Sequence, residues 1–289
     1  MTEQQKVELN SLEVESRLAF HYTSADTAEK ILSSGELWLA PFTSTNDPRE
    51  NAQWHVDFTW PVDGGRPPER LLNLSGEVCA RVDETLDRHF RQGAVLSCFC
   101  LDRQPYEDSA AGTFFHRGWA RARMWEQYGE KHHGACLVFD HHEFLELVDT
   151  HRPVEEGSFF SHLEVRYIDA PLKIPVPLEA AIADDLIGKL NELQVRDGIA
   201  EHVYFTKNRD WESESEYRIV CVRWDPPSEE LGMPVPISFG RSLKAIVLGQ
   251  DFEMAASTGL SRFLDQHPDV GLWQCVWQNG HPWLVNCSR

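Results

Sequence analysis

The chain has 289 residues, enough for one large domain or two small ones, and its 46 acidic against 27 basic residues give a formal charge of −19. That charge excludes broad docking on duplex DNA, where binding rests on lysines and arginines that neutralise phosphates. A local basic patch for a nucleotide or a short single strand is still compatible with it.

The start, Met1-Thr2-Glu3-Gln4-Gln5-Lys6, is polar and lacks the apolar core of a signal peptide. No apolar run approaches the ~20 residues that span a bilayer. A cytoplasmic, reducing setting without membrane contact is expected. Seven scattered cysteines with no Cys-x-x-Cys read as buried free thiols.

After a polar lead over 1–17, Leu18 to Tyr22 reads as a strand. Ser24 or Asp26 caps a helix to about Ser34, which Gly35 ends. Leu37 to Ala40 is a second strand. Thr43 to Pro48 is a turn rich in side-chain acceptors, and Asp47 caps a short helix with Pro48 in its first position. A long helix is expected from Arg66-Pro67-Pro68 to about Phe90, with Leu71, Leu74, Val78, Val82 and Leu86 at helical spacing.

Ala94 to Cys100 is a strand, 102–118 a loop, Arg121 to Gly129 a helix, Gly134 to Phe139 a strand and His142 to Val148 a helix. Val165 to Ile168 reads as a short strand and Leu178 to about Gln194 as an amphipathic helix. Strands follow at Val203–Thr206, Tyr217–Trp224 and Ala245–Leu248, then a helix near Phe252 to Leu264 and a final strand at Leu272–Trp277. There is no repeat, no convincing linker and no strict β-α alternation. These elements make one α+β domain over 18–289, with a mixed, largely antiparallel central sheet and flanking helices. The absence of Gly-x-Gly-x-x-Gly after the first strand leaves a doubly wound dinucleotide fold without support.

Four segments carry side chains suited to chemistry. His21-Tyr22-Thr23 ends the first strand just before a helix, where a histidine beside a hydroxyl can bond a ligand hydroxyl or an anion. Phe42 to Pro48 offers Thr45 and Asn46, although such turns also form for purely local reasons. On a helix, Arg121, Trp125 and Tyr128 share one side, and with Arg123 they can stack a ring and hold a phosphate; core packing of Trp125 explains the aromatics equally well.

The fourth segment is Trp211-Glu212-Ser213-Glu214-Ser215-Glu216-Tyr217-Arg218. Read as extended chain, it places Glu212, Glu214, Glu216 and Arg218 on one face. A row of carboxylates repels itself unless an arginine or a ligand uses it. Arg218 is the expected partner, with Glu212 at the surface. His132, His133, His141 and His142 lack metal-site spacing, and no metal is expected.

Together these segments resemble a bacterial family called domain of unknown function 2971. The matching pieces are His21-Tyr22-Thr23, Ile31-Leu32 to Leu37, Asn46 to Glu50, Met124 to Gly129 and Gly134 to Asp140. Lys207, Trp211-x-x-Glu214-x-Glu216-Tyr217-Arg218 and Ile246 to Gly249 complete the set, which spans about 18–250. That family name implies no activity.

A second resemblance, to the split sheet of ADP-ribosyltransferase-like domains, does imply one. There a first-strand histidine grips the NAD ribose, a Ser-Thr-Ser-like strand end supports the site and a late Glu-x-Glu carries the catalytic carboxylate. His21, Thr43-Ser44-Thr45 and Glu214-x-Glu216 stand here in that order. The nicotinamide-stacking tyrosine has no clear counterpart, although Tyr128 or Trp125 can serve. The resemblance implies Glu216, Glu214 and His21 as catalytic residues. Tyr22, Thr23, Thr45, Asn46, Arg121, Arg123, Trp125, Tyr128 and Arg218 would then surround NAD, which is consumed as a substrate.

The expected function is an NAD-using transferase or NAD glycohydrolase of a bacterial defence, toxin-type or regulatory system. The alternatives are a non-catalytic module binding a nucleotide or a protein, and a nucleic-acid-modifying defence factor acting on single strands. On the first reading the side chains of His21 and Glu216 must lie within about two strand spacings, ~10 Å.

Overall fold

The computed structural model describes residues 17–55, 76–104, 114–150, 159–172, 174, 176, 181, 184–196, 199–223, 227–254 and 257–287. Most of the polar lead and the expected helix opening at Arg66 lie outside these residues.

The centre of the fold is β3 (Ala94–Leu101), and its two edges are used differently. One edge pairs along nearly its whole length with β8 (Glu216–Val222), from Ala94↔Val222 to Cys100↔Glu216, and β8 pairs in turn with β5 (Phe159–Glu164). The other edge is shared by two strands. β1 (Leu18–Thr23) takes one end, at Phe20↔Cys100 and Ala19↔Leu101. β2 (Glu36–Pro41) takes the other, at Ala40↔Leu96 and Pro41↔Val95. Ser97 to Phe99 have no strand partner on that edge among the described residues, so the sheet splits there.

Beyond β1 the sheet continues through β4 (Ala135–Asp140), β10 (Leu243–Leu248), β11 (Gly271–Gln278) and β12 (His281–Asn286). Beyond β2 it ends on β9 (Val235–Ser238). Among the described residues, only β10 and β11 run parallel in this sheet. The short β6 (Arg166–Tyr167) and β7 (Thr206–Lys207) form a separate parallel pair. The expected α+β, largely antiparallel architecture is what the chain forms.

The connection across the split is α1 (Ala25–Ser34). Ser24 caps it by accepting from the Thr27 amide, and Gly35 ends it at φ 71°, a left-handed conformation that suits glycine. Ala28, Ile31 and Leu32 of α1 join Phe144 and Val148 of α5 (His141–Thr150) in the core on one face of the sheet. On the other face, Met124 and Trp125 of α4 (Ala122–Gln127) cover β1 and β4. Leu86 and Phe90 from the π-helical turn Leu86–Gln92 cover β3 and β8 with Leu186 and Tyr204.

Several elements differ from the sequence expectation. Among the described residues the expected long helix is regular over α3 (Gly76–Thr85) and then widens into the π-helical turn instead of continuing to Phe90 as α-helix. Of the amphipathic segment expected from Leu178, the described residues show α6 (Leu186–Arg196), and its expected start lies mostly outside them. Val203 and Tyr204, expected in a strand, end α7 (Ile199–Tyr204), because burying them against Phe42 and Phe90 overrides their β preference. The helix expected from Phe252 starts only at Thr258 (α8, Thr258–Gln266). β5, β9 and β12 go beyond the sequence expectation: β5 and β12 do not alternate regularly, and β9 is short and carries a proline at Pro236. All seven cysteines are free.

His141 opens α5 with its ring edge-on to Tyr217, centroids 4.4 Å apart, and with Nε2 buried and unpartnered. Burial and then the charge of Arg17 lower its pKa to about 4. An imidazole kept neutral in the fold but charging near pH 6.5 in the unfolded chain means that unfolding takes up a proton between those values. Stability therefore falls as pH drops from about 6.5 toward about 4. In thermal melts across this range the wild-type melting temperature should fall steeply, and His141→Gln should flatten the slope.

Candidate functional site

The split opens into a cavity of about 680 Å³. His21 and Thr23 of β1, Cys98 of β3, Tyr128 after α4 and the pair Glu214 and Glu216 line its inner part, with Lys207 between the carboxylates. Because β1 leaves β3 at the split, the His21 side chain takes the place of a strand partner: its Nδ1 meets the Cys98 carbonyl at 2.9 Å. A carbonyl only accepts, so Nδ1 carries the proton and Nε2 is the acceptor of a neutral ring. Burial lowers the His21 pKa and favours that neutral form, against the opposing effect of the hydrogen bond to the Cys98 carbonyl. Phe20↔Cys100↔Glu216 fixes the register: Phe20 and Glu216 are two strand spacings apart, ~10 Å, and His21, one residue beyond Phe20, is on the opposite face of the sheet and meets the cavity at the split.

The carboxylate wall is built differently from the expected extended row. Residues Arg209–Glu214 form a 3-10 turn, Ser215 adopts φ 42°, and β8 begins only at Glu216. Left-handed geometry in a non-glycine residue costs roughly 1–3 kcal/mol and needs support. The Ser215 carbonyl accepts from the Leu101 amide at 2.9 Å, and its Oγ accepts from Arg103 Nε at 2.9 Å. This kink turns Glu214 inward beside Glu216 and leaves Glu212 exposed.

Both carboxylates belong to a buried charge network. Arg218, wholly buried, donates from Nε to Glu216 Oε1 at 2.6 Å, from one terminal nitrogen to Glu50 Oε1 at 2.6 Å and from the other to the Tyr204 carbonyl at 2.6 Å. Lys207 Nζ reaches Glu214 Oε2 and Glu216 Oε2, each at 2.8 Å, and the Tyr128 hydroxyl donates to Glu214 Oε1 at 2.9 Å. Burial would raise the Glu216 carboxyl, but Arg218 and then Lys207 outweigh it and hold it well below the usual carboxylate range. For Glu214, burial prevails over Lys207 and the pKa is raised, with the Glu216 charge adding to the effect. Burial also pushes the Cys98 thiol well up, with the Glu216 charge adding to it, so this cysteine stays protonated.

Of the expected site residues, His21, Tyr22, Thr23, Thr45, Asn46, Tyr128, Glu214 and Glu216 line the cavity. The Tyr22 hydroxyl is already committed to the Gly118 carbonyl at 2.7 Å. Arg218 supports Glu216 from the core. Arg121, Arg123 and Trp125 do not line the cavity, which corrects the expectation that they hold a ring and a phosphate.

Arg121 is buried and donates to the Leu101, Ser213 and Glu214 carbonyls. Arg123 donates to the Asp210 carbonyl at 2.8 Å and lies over the Trp211 ring, 4.9 Å from its centroid. The two arginines thus clamp the turn that aims Glu214. Trp125 is fully buried, gives its Nε1 hydrogen to the Trp119 carbonyl and stacks on His132.

Sequence reasoning missed the roles of Lys207 and Glu50. A lone lysine closing the apolar run Val203-Tyr204-Phe205-Thr206 signals the first, and the Asp47-capped turn that buries Glu50 signals the second. Among the described residues, no group of three or more His, Cys, Asp or Glu is arranged to hold a metal ion.

A family model described as "Protein of unknown function (DUF2971)" matches residues 124–219. The match is to a segment of this chain, which is similar to that family there. The matched segment holds Tyr128, Lys207, Glu214, Glu216 and Arg218, whereas His21, Asn46 and Glu50 precede it. No curated protein and no solved structure matches the chain.

Lys207→Met would leave Glu214 and Glu216 side by side without their shared cation. Breaking such a buried pair costs about 3–5 kcal/mol, readable as a lower urea midpoint. Adding Glu214→Gln should recover part of the loss, because it removes the repulsion that Lys207 had cancelled.

Proposed function

We propose that the split cleft binds a ribosyl nucleotide and that the protein is an ADP-ribosyltransferase-like enzyme or NAD glycohydrolase. The observation that carries this reading is the placement of a neutral His21 and an ionised Glu216 on two sides of one cavity, two strands apart. His21 Nε2 would accept a ribose hydroxyl. Glu216, held ionised by Arg218 and Lys207, would face the ribose as positive charge develops on it. In that step the C1′–N bond breaks, its electron pair leaves with nicotinamide, and water or an acceptor hydroxyl adds to C1′ and gives up its proton. A preorganised carboxylate that meets charge only in the transition state is an economical catalyst of such a step.

One observation favours a second reading, a nucleotide-binding module without turnover. Lys207, Arg218 and Tyr128 already occupy the Glu214 and Glu216 oxygens. With Arg121 and Arg123 turned elsewhere, Lys30 and Lys207 are the cations that line the cavity among the described residues.

The deciding experiment is incubation with labelled NAD, with and without cell lysate, following nicotinamide release and label transfer. Release that falls about 10²–10³-fold in Glu216→Gln, with NAD still raising the melting temperature, is the expected result. NAD binding without release would establish the module, and no NAD binding would reject both.

A further inference from the structure

The outer half of the cavity is chemically unlike the inner half. β2 alternates strictly there: Leu37 and Leu39 are fully buried, while Trp38 and Ala40 face the opposite way and line the cavity. Trp38 is 49% exposed. Its cross-strand neighbour on β9 is Pro236, itself exposed, and the indole makes no ring contact or hydrogen bond among the described residues. An indole left half exposed on a regular strand forgoes part of its burial gain.

Ala40 lies two residues along the same face, about 7 Å away, and Ser33, Ser34 and Ser44 also line the cavity. Trp38 is the aromatic side chain that β2 adds to the cavity wall. Ser97, on the unpaired stretch of β3, also lines the cavity. It is 4% exposed, and its Oγ is buried without a hydrogen-bond partner. A buried hydroxyl left unpaired in a cavity wall is a group that a polar ligand would satisfy.

We propose that the Trp38 end of the cleft is a stacking subsite for a planar heteroaromatic ring, a purine base, with Ser97 as a polar contact from the split. The inference rests on the nucleotide reading of the same cavity and fixes the ligand's direction: base outward on Trp38, reacting ribose inward at His21 and Glu216. Stacking on an indole is tolerant of ring identity, so Trp38 supplies affinity while the inner wall supplies chemistry.

The test is isothermal titration of the full chain, wild type, Trp38→Ala and Trp38→Phe, with NAD, nicotinamide mononucleotide and adenosine monophosphate. Trp38→Ala should weaken NAD and adenosine monophosphate by about tenfold or more and leave nicotinamide mononucleotide unchanged. Trp38→Phe should restore most of the loss, and all three proteins should melt alike because the side chain is exposed. Equal weakening of all three ligands, or of none, overturns the subsite while leaving the nucleotide reading in place. Trp38-dependent binding of adenosine monophosphate without any binding of NAD sustains the subsite and overturns the NAD reading. Binding of none of the three to the wild type overturns both.

Discussion

A guanidinium with no exposure in the middle of a central strand is the constraint around which this protein is arranged. Arg218 tolerates burial only because Glu216, Glu50 and the Tyr204 carbonyl surround it with acceptors. Those three come from β8 itself, from the short helix that Asp47 caps and from the end of α7. The network therefore ties separate parts of the chain to one point. Lys207 extends it to Glu214, and Tyr128 extends it to the segment after α4. Three carboxylates are set against two cations, and burial first, with the neighbouring Glu216 charge adding to it, raises the Glu214 pKa.

The second organising fact is geometric. One edge of β3 is divided between β1 and β2, and the stretch between them is left to a side chain. A sheet that splits creates a cavity between its own strands. Its walls are those strands, a capped helix and the turns that carry Thr45, Asn46 and Glu214. The charged network closes the inner end of this cavity, and the helix α1 connects its two lips. Structure and site are thus one construction: the interactions that make the core buriable also hold Glu216 ionised at the cavity wall.

Much of this was readable residue by residue. The Ser24 and Asp47 caps, the Gly35 stop and the Leu-x-Leu alternation of β2 are local signals, set by hydrogen bonds within a few residues. His21, Tyr128 and Glu216 could be singled out because their residue types are costly in apolar surroundings unless they are used. Arg121, Arg123 and Trp125 show the limit of that logic. Helical spacing put Arg121 and Trp125 on one side correctly, but spacing does not say whether a side faces a cavity, a backbone turn or the core. The 3-10 turn before β8 shows the same limit. A row of alternating glutamates reads as a strand, yet the Arg121 and Arg123 contacts stabilise a turn with a left-handed Ser215 instead.

By itself, then, the order of residues determined which segments pair hydrogen bonds locally, which positions carry charge that must be compensated, and that the domain mixes strands and helices without a dinucleotide motif. These follow from short-range sterics, capping and periodicity. Only the tertiary structure decided that β1 and β2 diverge on the same edge of β3, that Lys207 and Glu50 complete the Arg218 network, and that Trp38 stands open at the cavity mouth. Each of these depends on contacts between segments distant along the chain, and no local pattern encodes which of the available partners a buried charge or an exposed ring will meet.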